Sequence, residues 1–257
     1  MPPRMTTAST LTTSAPTGST ATPAEPADVQ AFFNQSWQIY QKLLCYNYMG
    51  HQQIYTLLHD LWRNRFRGNF SLLDLGCGDA WYAAQALRGT LIEHYHGVDL
   101  SEVALAIAAE NMAGLRGKQT FSQADLLQFV RTCPDKFDLI LTSFALHHLS
   151  LAEKAEFLSR IPHLLNPGGR LLLVDVCRRS GEDRASYIQR YTRQMQRDWT
   201  EMSRAELEIL SDHIASSDLP ESVEIWTDLA YRYGFPKVEC LYSHSDQASK
   251  LLCFYRG

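Results

Sequence analysis

The segment Leu72-Leu73-Asp74-Leu75-Gly76-Cys77-Gly78-Asp79-Ala80 joins an apolar run to a helix-compatible one through a turn with two glycines. Glycine lets a ligand approach the backbone, and a helix starting just after the turn offers N–H groups with no partner inside the helix. The same alternation continues downstream. Apolar stretches at Phe70 to Leu75, Tyr95 to Val98, Gln119 to Ala124, Phe137 to Thr142 and Arg170 to Val176 read as strands, separated by Ala- and Leu-rich helical segments. Such alternation predicts a doubly wound α/β fold, a mostly parallel sheet with helices on both faces. Asn166-Pro167-Gly168-Gly169 reads as the turn that ends a helix over Leu151 to Leu165 and starts the fifth strand.

The flanking segments differ in character. Residues 1–28 are dominated by Thr, Ser, Ala and Pro, which bury too little apolar surface to offset the entropy of ordering, so a disordered tail is expected there. Residues 29–68 carry Phe32, Phe33, Trp37, Tyr40 and Leu44, then Ile54, Leu57, Leu58 and Leu61, at helical spacing, which predicts an N-terminal helical cap of two helices. The main domain is expected over 69–257, with a charged helical insertion at 178–219 after the fifth strand, then a helix ending at Tyr233-Gly234 and strands at Lys237 to Tyr242 and Lys250 to Tyr255. The 24 basic and 28 acidic residues give no electrostatic footprint for a polyphosphate, which argues against nucleic acid as partner. Six scattered cysteines without a C-x-x-C pair read as reduced thiols. No apolar run reaches the roughly 20 residues that cross a bilayer, and no secretory core stands at the start, so a cytoplasmic protein is expected.

Acids mark the binding edge. The third position of the glycine turn is Ala80, and Asp79 stands inside it, where an acid would repel a pyrophosphate but suit a ligand carrying sulfonium and ammonium charge. Asp99 ends the second strand, about 20 residues after the turn, and can accept two ribose hydroxyls, while Ser101 is placed to cap the next helix. Asp125 ends the third strand, where it can accept from an adenine amino group. An acid at a strand end is also a common helix cap. Three in succession at the edge where open sheets bind ligands favour a site.

These residues, with Phe137 to Leu149 and Leu165-Asn166-Pro167-Gly168-Gly169-Arg170, make the chain resemble the class I S-adenosylmethionine-dependent methyltransferases over about residues 70–176. The resemblance implies a seven-stranded sheet with its last strand antiparallel and S-adenosylmethionine as cofactor, released as S-adenosylhomocysteine. It implies that Asp74, Gly76 and Gly78 hold the methionine portion, Asp99 the ribose, and Asp125 with Leu126 the adenine. Cys77, Asp79, Leu100 and Ser143 complete the candidate cofactor set. The implied reaction is methylation of a small-molecule acceptor, most readily at oxygen or nitrogen.

His147, in the pair His147-His148 after the fourth strand, is the candidate base, with helix capping or packing beside the cofactor as its structural alternative. No metal is expected, because Ser143-Phe144-Ala145 supplies none of the carboxylates that a metal-assisted mechanism needs. The Asp/Asn-Pro-Pro-Tyr/Phe signature of base and glutamine N-methylation is absent at that strand end. Acceptor recognition is expected from the cap and the insertion, through Tyr40, Tyr46, Tyr48, His51, Tyr187, Arg190, Tyr191, Trp199 and His213, with Asp175 at the end of the fifth strand. A methyltransferase of protein or RNA, a nicotinamide-dependent oxidoreductase and a non-catalytic cofactor-binding module stay open as readings.

Overall fold

The computed structural model describes residues 37–65, 68–245 and 248–257. The tail at 1–28, Phe32, Phe33 and Phe66 lie outside the described residues. Helices α1 (Trp37–Cys45) and α2 (His51–Arg65) precede a sheet of β1 (Phe70–Leu75), β2 (Ile92–Asp99), β3 (Lys118–Gln123), β4 (Phe137–Ser143) and β5 (Leu165–Arg178). Between these strands run α3 (Trp81–Leu87), α4 (Glu102–Met112), α5 (Leu126–Thr132) and, after a 3-10 turn at Leu146–His148, α6 (Leu151–Leu164). The insertion forms α7 (Arg184–Asp198) and α8 (Arg204–Ser217). The short β6 (Glu221–Ser222), α9 (Val223–Arg232), β7 (Lys237–Ser243) and β8 (Ser249–Tyr255) complete the chain.

The strand order is β3-β2-β1-β4-β5-β8-β7, with β6 pairing β5 off this path. The first five strands are parallel, and β8 lies antiparallel between β5 and β7. The seven-stranded expectation therefore holds along the path, and the two-residue β6 makes the sheet eight-stranded. Alternation along each strand divides the core. Leu73, Leu75, Ile140, Leu171 and Leu173 pack on one face with α5, α6 and α9; Leu72, Leu139, Leu141, Leu172 and Val174 pack on the other with α2, α3 and α4.

The Asn166-Pro167-Gly168-Gly169 segment is not a turn outside the strand. Helix α6 runs straight into β5, and the segment forms a bulge at which the β4–β5 register shifts between Phe137 and Leu139. Asp138 pins it: one carboxylate oxygen accepts from Asn166 Nδ2 at 2.9 Å and the other from the Ser71 N–H and hydroxyl at 2.8 Å.

The cap and the insertion share a third core over the C-terminal ends of the strands, built from Ile39, Tyr187, Tyr191, Met195, Trp199, Leu210 and Ile214 and joined to the sheet by Val176 and Ala248. Lys42 on α1 pairs with Glu206 on α8 at 2.8 Å, and Tyr48 stacks on Trp199 at 5.0 Å. These contacts make α1, α7 and α8 a lid over the edge where parallel sheets bind ligands.

Candidate cofactor and acceptor site

All ten candidate cofactor residues, Asp74, Gly76, Cys77, Gly78, Asp79, Asp99, Leu100, Asp125, Leu126 and Ser143, line one cavity of about 710 Å³ beneath the lid, and His147 lines it too. The glycine turn shapes the near wall. Gly76 and Gly78 both have positive φ, at 74° and 54°, a region that favours glycine. Gly76 also has no room for a side chain, since a Cβ there would lie 2.8 Å from the Ala145 Cβ. Gly76→Ala is accordingly expected to destabilise the fold by about 1–3 kcal/mol, read as a lower denaturation midpoint, with weaker cofactor binding. Ala80 also takes a left-handed φ of 52°, so the missing third glycine leaves the turn's path intact at a conformational cost.

Asp99 organises the turn. Its Oδ2 accepts from the Gly78 N–H at 2.8 Å and its Oδ1 from the Ser101 N–H at 2.9 Å, which leaves further lone pairs on each oxygen directed by the same rigid geometry. Burial holds its pKa above the ordinary carboxylate value, opposed in part by the backbone N–H groups of Ser101, Gly78 and Leu100. Ser101 caps α4 as expected, accepting from the Ala104 N–H at 3.2 Å. Asp125 caps α5, accepting from the Gln128 N–H at 2.8 Å while lining the cavity. Asp79 is buried beside them and accepts from the Trp81 N–H at 3.1 Å.

Asp74 is the acid with most to gain from a cation. Its Oδ2 accepts from the Tyr95 hydroxyl at 2.9 Å, while its Oδ1 is buried with no hydrogen-bond partner. Burial pushes its pKa up to about 7, opposed by the Tyr95 hydrogen bond and reinforced by Asp99. In the free protein the ionised form therefore costs stability: the contribution is fully present below the ordinary value of 3.8 and is lost as pH rises through about 7. A bound ammonium group favours the ionised form, so affinity for S-adenosylhomocysteine should rise about tenfold from pH 6 to pH 8, with Asp74→Asn flattening the profile in calorimetric titrations.

The far wall belongs to the lid and the end of β4. Phe144 takes a left-handed φ of 50°, held by its N–H donating to the Val174 carbonyl at 2.7 Å, and this kink turns the chain into the 3-10 turn that carries His147 and His148. His147 Nδ1 bonds Asp175 Oδ1 at 2.5 Å. Burial lowers the His147 pKa, but Asp175 and Asp218 together outweigh it, and the net direction is up. Burial and the neighbouring His147 and His213 hold His148 well below its ordinary value. His213 is lowered to about 4, by burial and then by His147.

Of the residues expected to form the acceptor pocket, Tyr40, His51, Tyr191, Trp199 and His213 line the cavity. Tyr48 and Tyr187 instead build the lid's packing, Tyr46 is exposed, and Arg190 is paired with Glu182 at 2.7 Å. Asp175 is buried behind His147 and acts on it, outside the cavity wall.

Leu43, Met49, Leu210 and Ile214 also line the cavity, unexpected from the sequence, and so does one acid. Asp218, at the end of α8, comes within 3.8 Å of both His147 Nε2 and His148 Nδ1. Its place depends on contacts distant in sequence: the Leu219 N–H donates to the His147 carbonyl at 2.6 Å, Lys154 Nζ donates to the Leu219 carbonyl, and Arg184 Nε donates to the Asp218 carbonyl at 2.7 Å. Burial raises the Asp218 pKa to about 6 against the pull of His147. No local motif announces such a residue.

The fit to an adenosyl cation can be judged from these groups. The cavity wall carries Asp74, Asp79, Asp99, Asp125 and Asp218, and among the described residues that line it there is no lysine or arginine. A pyrophosphate would meet only negative charge here; a sulfonium and an ammonium meet partners, one of them the unpaired Asp74 Oδ1.

An α/β sheet with a glycine turn, an acid at the end of β2 and an acidic cavity at its C-terminal edge defines a class of adenosyl-binding proteins. Residues 73–171 match the family model described as a methyltransferase domain, which supports a class I S-adenosylmethionine-dependent methyltransferase. It is 28% identical over 130 residues to a demethylmenaquinone methyltransferase of Leptospira interrogans, covering 47% of this chain and 51% of that one. It is 26% identical over 167 residues to a phosphoethanolamine N-methyltransferase of Plasmodium falciparum, covering 63% and 60% of the two chains. The chain thus spans about half the length of the first of these relatives. The magnesium protoporphyrin IX methyltransferase of Synechocystis, solved with bound S-adenosylhomocysteine, shares the fold with a TM-score of 0.63 at 14% identity, covering 90% of this chain and 99% of that one. Among the described residues no helix is long and apolar enough to cross a membrane.

Proposed function

We propose that this protein transfers a methyl group from S-adenosylmethionine to an oxygen or nitrogen of a small, largely apolar acceptor held under the lid. The observation that carries the donor half is the cavity wall with Asp74, Asp79, Asp99 and Asp125 and no lysine or arginine among its described residues. S-adenosylmethionine supplies a methyl group on a sulfonium leaving group, so alignment supplies much of the rate. Asp74 and the Gly76–Gly78 turn hold the methionine portion, Asp99 accepts the ribose hydroxyls, and Asp125 with Leu126 receives the adenine; Cys77, Asp79, Leu100 and Ser143 complete the wall.

The acceptor half is lined by Leu43, Met49, Tyr191, Trp199, Leu210 and Ile214. These side chains exclude water and favour a flat apolar body. An acceptor bearing phosphate, as named for the Plasmodium relative, finds no lysine or arginine on this wall. His147 is the proposed catalytic residue. Asp175 fixes its Nδ1, which leaves Nε2 to take the proton of the acceptor atom.

The test is incubation with isotope-labelled S-adenosylmethionine and fractionated cell extract. Label in a small-molecule fraction supports the reading. Label confined to protein or RNA overturns the small-acceptor assignment, and stabilisation by NADH but not by S-adenosylhomocysteine overturns the donor assignment.

A further inference from the structure

Around Asp218 Oδ1 stand three imidazole nitrogens from two separate parts of the chain: His147 Nε2 at 3.8 Å, His148 Nδ1 at 3.8 Å and His213 Nε2 at 4.0 Å. His147, His148 and Asp218 are all more than nine-tenths buried. Neither His148 Nδ1 nor Asp218 Oδ1 has a hydrogen-bond partner. Buried polar atoms are nearly always paired, and separations near 4 Å are too long for hydrogen bonds between these groups. They do match atoms that share a third body. Ligand atoms bound tetrahedrally at 2.0–2.1 Å from one ion lie about 3.3–3.4 Å apart; the contacts of His147 and His148 to Asp218 are about half an ångström longer, and the ligand atoms of these three residues all lie within 4.8 Å of one another.

A second feature points the same way. His147 Nδ1 is engaged by the buried Asp175 carboxylate at 2.5 Å. That contact fixes the tautomer, so that the lone pair sits on Nε2 and faces Asp218. A carboxylate behind a histidine ring is the usual support for a metal-ligating imidazole. The cluster also opens onto the cavity, since His147, His148, His213 and Asp218 all line it.

We propose that His147 Nε2, His148 Nδ1 and Asp218 bind one divalent first-row transition ion, with His213 beside them as a further nitrogen donor. Two or three imidazoles and one carboxylate suit zinc or iron(II) and not magnesium or calcium, which take oxygen ligands. With His213 off the ion, the three protein ligands leave a coordination position toward the acceptor half of the cavity. An ion there would lower the proton affinity of an acceptor hydroxyl, whose proton would leave to water; in the ion-loaded protein His147 Nε2 would serve as ligand, and its role as base belongs to the ion-free protein. The inference rests on the methyltransferase reading only for that use; the site itself stands on the cluster. It departs from the expectation of a metal-free site, which rested on the strand end at Ser143-Phe144-Ala145 and had no view of Asp218.

The experiment titrates Zn²⁺ into the full-length, chelator-stripped protein by calorimetry, with bound zinc counted by elemental mass spectrometry. One equivalent is expected. Asp175→Asn should weaken Zn²⁺ binding by about 10- to 100-fold, and loss of a direct ligand in His148→Ala or Asp218→Asn should weaken it more. Affinity for S-adenosylhomocysteine, measured on the same samples, should stay at the wild-type value and so report an intact fold. Wild-type protein that takes up no stoichiometric zinc, or variants that bind zinc as tightly as wild type, overturns the proposal. Zinc binding that depends on His148 and Asp218 in a protein with no affinity for S-adenosylhomocysteine upholds the metal site and defeats the cofactor reading.

Discussion

His147→Ala is expected to slow methyl transfer by about 10²- to 10⁴-fold while S-adenosylhomocysteine binds with unchanged affinity. The separation arises from the geometry. His147 stands on the 3-10 turn after β4, tied to Asp175 behind it and facing Asp218 across the acceptor half, whereas the proposed cofactor residues are spread over the ends of β1, β2 and β4, the turn between β1 and α3 and the start of α5. Single-turnover rates with the identified acceptor, set beside calorimetry with S-adenosylhomocysteine, make the comparison. A normal rate would leave His147 with packing alone.

Asp99→Ala is expected to weaken S-adenosylhomocysteine binding by about 2–4 kcal/mol, the loss of charge-assisted hydrogen bonds to two buried ribose hydroxyls. The same carboxylate also receives the Gly78 and Ser101 N–H groups, so its removal loosens the turn proposed to receive the methionine portion. Asp99→Asn is the informative partner: it keeps an acceptor oxygen but substitutes donors for the other, and should fall between wild type and alanine. Unchanged affinity in both variants would place the ribose elsewhere.

The sheet was legible because its signals are local. Strands of alternating inward side chains and glycine-bearing turns are set by residues within a few positions of one another, and Leu72, Leu73 and Leu75 reach opposite cores as their alternation requires. The acids at the ends of β1, β2 and β3 were legible for the same reason, since a strand end places them at the binding edge wherever the rest of the chain goes. The Asn166-Pro167-Gly168-Gly169 segment misled because its composition is that of a turn, while its bonds to Asp138 are tertiary. Asp218 was illegible outright: it comes after an ordinary helix, and only the return of that helix over the sheet brings it to the histidines.

The lid's separate core divides the molecule into two units of unequal thermodynamic depth. The residues proposed to hold the donor are fastened to strands whose opening requires unfolding of the sheet, whereas much of the proposed acceptor wall, Asp218 included, hangs on a small cluster joined to that sheet at Val176 and Ala248. Local opening of α7 and α8 therefore exposes the acceptor half and dismantles the histidine–aspartate cluster in one event, with the donor pocket still standing.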